Sequence, residues 1–479
     1  MTGQRPQYAQ GFSSLGLETS VESLSVTGQF PAWLTGTLIR NGPAKFEVGN
    51  EGYRHWFDGL AMLHTFSFRD GRVSYANRFL DTGDFCETAA QGRITRREFA
   101  TDPCRTIFGR VMAMFVPGAD NANVNIGVLA DRCVALSETS LPITFDPATL
   151  RSTGVIDSEG HRPKHLTTAH PHLDFSRGLS LNYWTRMGRK SRYDIIGTDN
   201  AGRTRLISSL PVDRPAYMHT FAVTARYVVL AEFPLVVNPI SLLLSGRPFI
   251  ENFRWEPGRG TRFRVVSKDD GRIVTTCQAD AFFAFHHVNA FERGDDIVVD
   301  ISAYPDPGII ESFYLKNIRS GVDMPTPDLR RYHLARTKRD CSHEVVSPGN
   351  LELPRINYRR NNAAVYQYAY GAGTRRPRNF WDELVKVDVC SGGRRTWYEE
   401  GTYPGEPVFV GSPGASREDE GVILAVVFDG NNGTSFLLAL DAGTFEELGR
   451  AVVPHHVPFG FHGQYVTGAG MWEEPHLHR

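Results

Sequence analysis

Apolar positions along this chain fall mostly in short runs with a two-residue period, and few recur with the three-to-four-residue spacing of an amphipathic helix. TGTLIRNGP (35–43), MLHTFSFRDGRVSYANRFL (62–80), RCVALSE (132–138), RYVVLAEF (226–233), DDIVVDIS (295–302), GVILAVVFDG (421–430) and SFLLALDAGTF (435–445) read as strands bounded by Gly, Asp, Asn or Pro. Helical spacing is best near 105–115 and 238–246. No composition shift or long linker divides the sequence, so residues 1–479 are expected to build one large closed β architecture. Sheets set radially as a propeller leave only short protected edges and suit many short strands. A large β-sandwich is the competing arrangement, and no repeat of the WD or kelch type decides between them.

Two segments are more apolar than connecting loops should be: RTIFGRVMAMFVPG (105–118) and FPLVVNPISLLLSGRPF (233–249). Each is either core or an interfacial patch by which the protein dips into a bilayer to collect a lipid-like ligand. Composition then narrows the functional classes. Lys and Arg number 52 against 53 Asp and Glu, a formal net charge of -1, so electrostatics gives no reason to expect nucleic acid as a partner. The N-terminus lacks the apolar core of a signal peptide and no stretch reaches the length of a membrane span; the expectation is a cytoplasmic protein, peripheral at the membrane if the apolar segments are surface. Six cysteines without CxxC spacing suggest reduced thiols rather than a disulfide ladder or zinc knuckle. No obligate protein partner is evident.

The candidate chemistry lies in histidines. FFAFHHVNAFE (282–292) sets two imidazoles among four Phe, and in an extended chain His286 and His287 face opposite sides. A lone histidine there is ordinarily a core ring satisfied by a carbonyl. Three other segments repeat the pattern: TTAHPHLDF around His170, AYMHTFAVT around His219 and VPFGFHGQYV around His462. Four imidazoles in apolar strands ask for a shared explanation, and in a propeller of about seven blades they would meet on the axis around a metal. Four neutral imidazoles without thiolates suit Zn, Cu, Fe or Ni. Ligating imidazoles usually pass their second N–H to a carboxylate, and Glu138, Glu406 and Glu447 are candidates.

With those segments in view the chain resembles the carotenoid cleavage oxygenases, nearly end to end, from LIRNGP (38–43) and HWFDGLAMLHTF (55–66) through the four histidine segments to EPVFV and GFHG. The resemblance implies a seven-bladed β-propeller with a helical or loop cap and one non-haem Fe(II) per chain, held by His170, His219, His286 and His462. It implies outer carboxylates at Glu138, Glu406 and Glu447, with a slip to Glu446 open, and Val124 crowding an open iron position. His172 and His287 would be supporting residues. The implied reaction is cleavage of a conjugated carbon–carbon double bond of a carotenoid or apocarotenoid by O₂ into two carbonyl products, in an apolar tunnel. No dinucleotide or flavin motif calls for a separate reductant. Cleavage of a stilbene-type phenolic olefin is the alternative within the family; relatives of that kind keep a lysine beside the first outer Glu, where this chain has Ser137. A carotenoid-binding propeller without turnover is the alternative outside enzymes.

Overall fold

The alternating runs pair into seven antiparallel sheets of four to six strands, two further two-stranded ribbons standing apart from them. This is a seven-bladed propeller, and the sandwich expectation is set aside. The computed structural model describes residues 5–103, 120–139, 141–156, 165–335, 341–376 and 379–467. Blades 2 to 6 each use one continuous stretch: 125–155, 165–212, 222–279, 287–347 and 352–398.

The other two are composite. Blade 1 takes Gly36–Lys45, Leu60–Arg69 and Arg72–Phe79 from the N-terminal part and Gly463–Val466 from the C-terminal part. Blade 7 spans 402–453 and is completed at its outer edge by Ser25–Gly28. The ring is therefore stapled twice, once by each end of the chain. Gly463 has to be glycine for this closure, because a Cβ there would stand 2.4 Å from the carbonyl of Ile39.

Apolar faces of neighbouring blades supply the core. Leu38, Phe66, Leu424 and Leu437, all fully buried, pack blade 1 on blade 7, and Leu181, Ile195, Val228 and Val266 pack blade 3 on blade 4. The largest cluster runs into the cap and is dominated by rings, among them Phe12, Trp56, Phe313 and Phe380. The motif HWFDG explains part of that cap. His55 accepts from Phe57 N and its own N–H reaches Asp58, while Asp58 also accepts from Ala100 N at 2.9 Å and Thr101 Oγ1 at 2.6 Å. A buried carboxylate with that many donors fixes the turn that carries Trp56 and Phe57.

Of the two apolar segments, 105–118 lies outside the described residues, with the helix expected near 105–115. In the second, Phe233, Leu235, Val236 and Val237 are core, and the expected helix is present as Pro239–Leu244. Its Ile240 and Leu244 are 61% and 78% exposed. Among the described residues no helix is long and apolar enough to cross a membrane. Cys86, Cys133 and Cys390 are free thiols.

Candidate metal centre

Around the axis, each blade places one residue of the site at the start of its inner strand or up to three residues before it. In blade order these are Val124 just before Asn125–Leu129, His170 just before His172–Asp174, His219 before Ala222–Val223 and His286 before His287–Arg293. Glu352 starts Glu352–Arg355, Glu406 precedes Val408–Gly411 and His462 precedes Gly463–Val466. The same end of the inner strands thus supplies four imidazoles, two carboxylates and one aliphatic group. Their separation in sequence is a consequence of blade size.

One donor nitrogen from each of His170, His219, His286 and His462 lies within 4.8 Å of all the others. The ring nitrogens facing inward are Nε2: His170 and His219 approach to 3.1 Å, His286 and His462 to 3.3 Å. Outward, His219 Nδ1 meets Glu138 at 2.7 Å, His286 Nδ1 meets Glu352 at 2.6 Å and His462 Nδ1 meets Glu406 at 2.7 Å. A carboxylate that accepts the Nδ1 proton leaves the Nε2 lone pair aimed at the centre, the arrangement of a metal-ligating imidazole. Burial pushes His170 well below the usual imidazole range, helped by its three neighbours, and lowers His462 to about 4 against the pull of Glu406. Neutral rings are the ligating form. The donor set fits a single first-row transition ion.

Each carboxylate is itself held. Glu138 accepts from Tyr217 Oη at 2.8 Å, and Glu352 accepts from Leu353 N at 2.7 Å and Tyr304 Oη at 3.1 Å. Glu406 accepts from Gly463 N at 3.0 Å and is ion-paired with both Arg40 and Arg355. Burial alone would raise the Glu406 carboxyl; the two guanidiniums and His462 outweigh it and hold it far below the usual range.

The expected Glu447 is not at this site. It stands exposed at the start of the outer strand Glu447–Val453, bound to Arg450 and to the indole of Trp397, and Glu446 beside it is exposed too. Glu352 occupies the place expected of it. A signal for Glu352 was present in NLELPRINY, an acidic residue enclosed by Leu on both sides, whereas TFEELGR is a polar turn. His287 turns away from His286, as its strand parity predicts, and its Nδ1 meets Thr220 Oγ1 at 2.8 Å. His172 bonds the Phe221 carbonyl at 3.0 Å and Tyr358 Oη at 3.2 Å.

Two cavities flank the imidazoles. One, of about 410 Å³, is walled by Trp56, Phe57, Phe285, Phe313, Trp381 and Phe461, with Val124 and three of the histidines at its floor. The other, of about 910 Å³, is lined by His170, His172, His287, Tyr358, Arg355, Gln464 and Glu406 and shares His286 and His462 with the first. The first suits a flat apolar ligand.

The profile of the family described as retinal pigment epithelial membrane protein (RPE65) matches residues 12–467. A carotenoid-cleaving dioxygenase, mitochondrial, from Mustela putorius furo is 35% identical, covering 93% of this chain and 94% of its own. A beta,beta-carotene 15,15'-dioxygenase from Homo sapiens is 32% identical over 92% of this chain and 91% of its own. Among solved structures, cobalt-substituted apocarotenoid oxygenase from Synechocystis superposes with a TM-score of 0.87 at 26% identity, covering 96% of this chain and 98% of that one.

Proposed function

The chain belongs to the RPE65/carotenoid oxygenase family, and on that premise we propose that it acts as one propeller domain to cleave a conjugated double bond of a carotenoid or apocarotenoid with O₂, using one ferrous ion held by His170, His219, His286 and His462. The observation that carries this reading is the convergence of four carboxylate-steadied or buried neutral imidazoles on the floor of an aromatic cavity. Ferrous iron bound there would supply reductive activation of dioxygen, with the polyene as electron source. The protein's own part is positional. Glu138, Glu352 and Glu406 keep the Nδ1 protons and so point the Nε2 lone pairs inward. Phe57, Phe285, Phe313 and Phe461 offer flat faces to a polyene and exclude water from the reacting bond. The Val124 side chain narrows the space a small ligand can reach beside the histidines.

Ser137 supports a polyene over a phenolic olefin, since its Oγ is engaged with Thr139 Oγ1 at 2.9 Å and no cation stands in its place to hold a phenolate. The exposed Ile240 and Leu244 side chains support contact with a bilayer, where such substrates partition. Incubating iron-loaded protein with apocarotenals, carotenoids and a stilbene, and following oxygen uptake and carbonyl products by mass spectrometry, tests the reaction. Products from polyenes alone are expected; none from any substrate, with iron confirmed bound, overturns it. Liposome flotation of Ile240→Ser/Leu244→Ser against the parent tests the membrane contact, and equal flotation removes it.

A further inference from the structure

The three outer carboxylates are not equivalent. Glu138 and Glu352 are steadied by neutral donors, the phenols of Tyr217 and Tyr304 and one backbone N–H, and neither pairs with a guanidinium among the described residues. Glu406 shares its charge between two guanidiniums. Arg40 is buried and also donates to the Phe461 carbonyl at 2.9 Å, which ties it to the strand of His462. Arg355 approaches Glu406 Oε1, the oxygen that His462 uses, at 3.4 Å, and spans to Gln464 Oε1 at 2.9 Å.

The backbone is bent to allow this. In the four-residue strand Glu352–Arg355, strict alternation would set residues 352 and 355 on opposite faces. The pairing register shifts between them, and Leu353 adopts a left-handed φ of 49° that a branched side chain rarely takes. That irregularity brings Glu352 under His286 and Arg355 under Glu406 from one short segment. Strained backbone of this kind persists where surrounding contacts over-determine it, commonly at functional sites.

We propose that Arg355 is a positioning residue that draws charge away from Glu406, so that His462 is a weaker donor than His219 and His286 and the ligand set is electronically unequal. The inference rests on reading the four histidines as metal ligands. A carboxylate that accepts an imidazole N–H raises the basicity of the ring, and a neighbouring cation on the same oxygen diminishes that effect. Arg355 also brings a positive charge close to a bound cation. Both effects loosen the metal at one corner without removing a ligand.

Cobalt(II) loaded into the full chain gives a test that does not depend on turnover. Arg355→Gln is expected to hold one cobalt per chain, to shift its visible absorption bands and to lose cobalt to excess chelator about tenfold more slowly than the parent. Arg355→Lys, which keeps the charge, returns the loss rate toward the parent's. Gln464→Met cuts only the far end of the bridge and gives a smaller change in the same sense, which keeps the test available if Arg355→Gln does not fold. Unchanged bands and loss rates, or faster loss, in the variants overturn the inference. A parent chain that takes up no cobalt overturns the reading of the ligands, and with it the role of Arg355; a parent that loads normally beside an inert Arg355→Gln overturns the role of Arg355 alone.

Discussion

The two cavities that meet at the four histidines differ in every respect except the rings they share. Above, six aromatic side chains make the wall, and the polar groups that reach the cavity are Glu352 and the histidines of its floor. Below, imidazoles, a guanidinium, an amide, a phenol and a carboxylate crowd a larger space, and the buried His287 Nε2 has no protein partner among the described residues. The lower chamber is therefore the polar side of the histidines and the upper, walled by rings, the apolar or dry side. The difference teaches how an electron-rich hydrocarbon and a polar ligand set can occupy one axis. Glu138 and Glu406 orient His219 and His462 from outside the apolar cavity, whereas Glu352, which orients His286, reaches its lining.

Substitutions on either side break or sharpen that division. The largest effect is expected for His286→Ala, which should abolish bound metal and turnover together, whereas His287→Ala should keep most of the metal; metal analysis of the purified proteins decides, and equal loss from both removes the distinction between neighbouring faces. Trp381→Ala on the dry side should cost about 3–5 kcal/mol of stability by opening a cavity, with metal content unchanged. Chemical denaturation with metal analysis checks it, and loss of metal would show the two sides to be mechanically one.

Next in size, Glu352→Gln should lower metal affinity or activity about 10–100-fold, while Glu447→Gln should change neither. Chelator competition separates them, and a comparable effect at Glu447 would restore it to the site. The smallest effect concerns the roof of the dry side, where Phe99 packs on His55 and Phe57 at 5.0 and 5.1 Å. Burial, with Asp84, Asp58 and Asp120 nearby, pushes the adjacent Glu98 carboxyl well above its ordinary 4.5; Arg96 opposes this at Asp84, and Tyr53 also faces the group. The folded state then holds a proton that the unfolded chain has released, so stability falls as pH rises past 4.5 until Glu98 itself titrates. Glu98→Gln should flatten that slope in denaturation curves taken from pH 5 to 8, and an unaltered slope would place the proton elsewhere.

The four histidines were legible because imidazoles in aromatic strands break a local rule, and such breaks mark functional positions. Glu138 and Glu406 were legible for a similar reason and through the family resemblance. Glu352 left only its enclosure between Leu351 and Leu353 as a signal, because its direction depends on the bulge at Leu353, which alternation of side chains does not anticipate. Glu447 was misplaced because the family resemblance outweighed the polar character of TFEELGR; its partners Arg450 and Trp397 are tertiary facts. Strand content could be read from pattern, but the exchange of chain ends between blades 1 and 7 could not, since pairing across more than 400 residues leaves no local trace.

That exchange has a consequence for biosynthesis. During synthesis the N-terminal part of a chain emerges first, so three of the imidazoles leave the ribosome well before the segment that bears His462. Until that last edge seats against Gly36–Lys45, the annulus stands open and its ion holder lacks a wall. The four-imidazole donor set is then complete only once that last edge has seated, so closing the circle comes before the full holder exists.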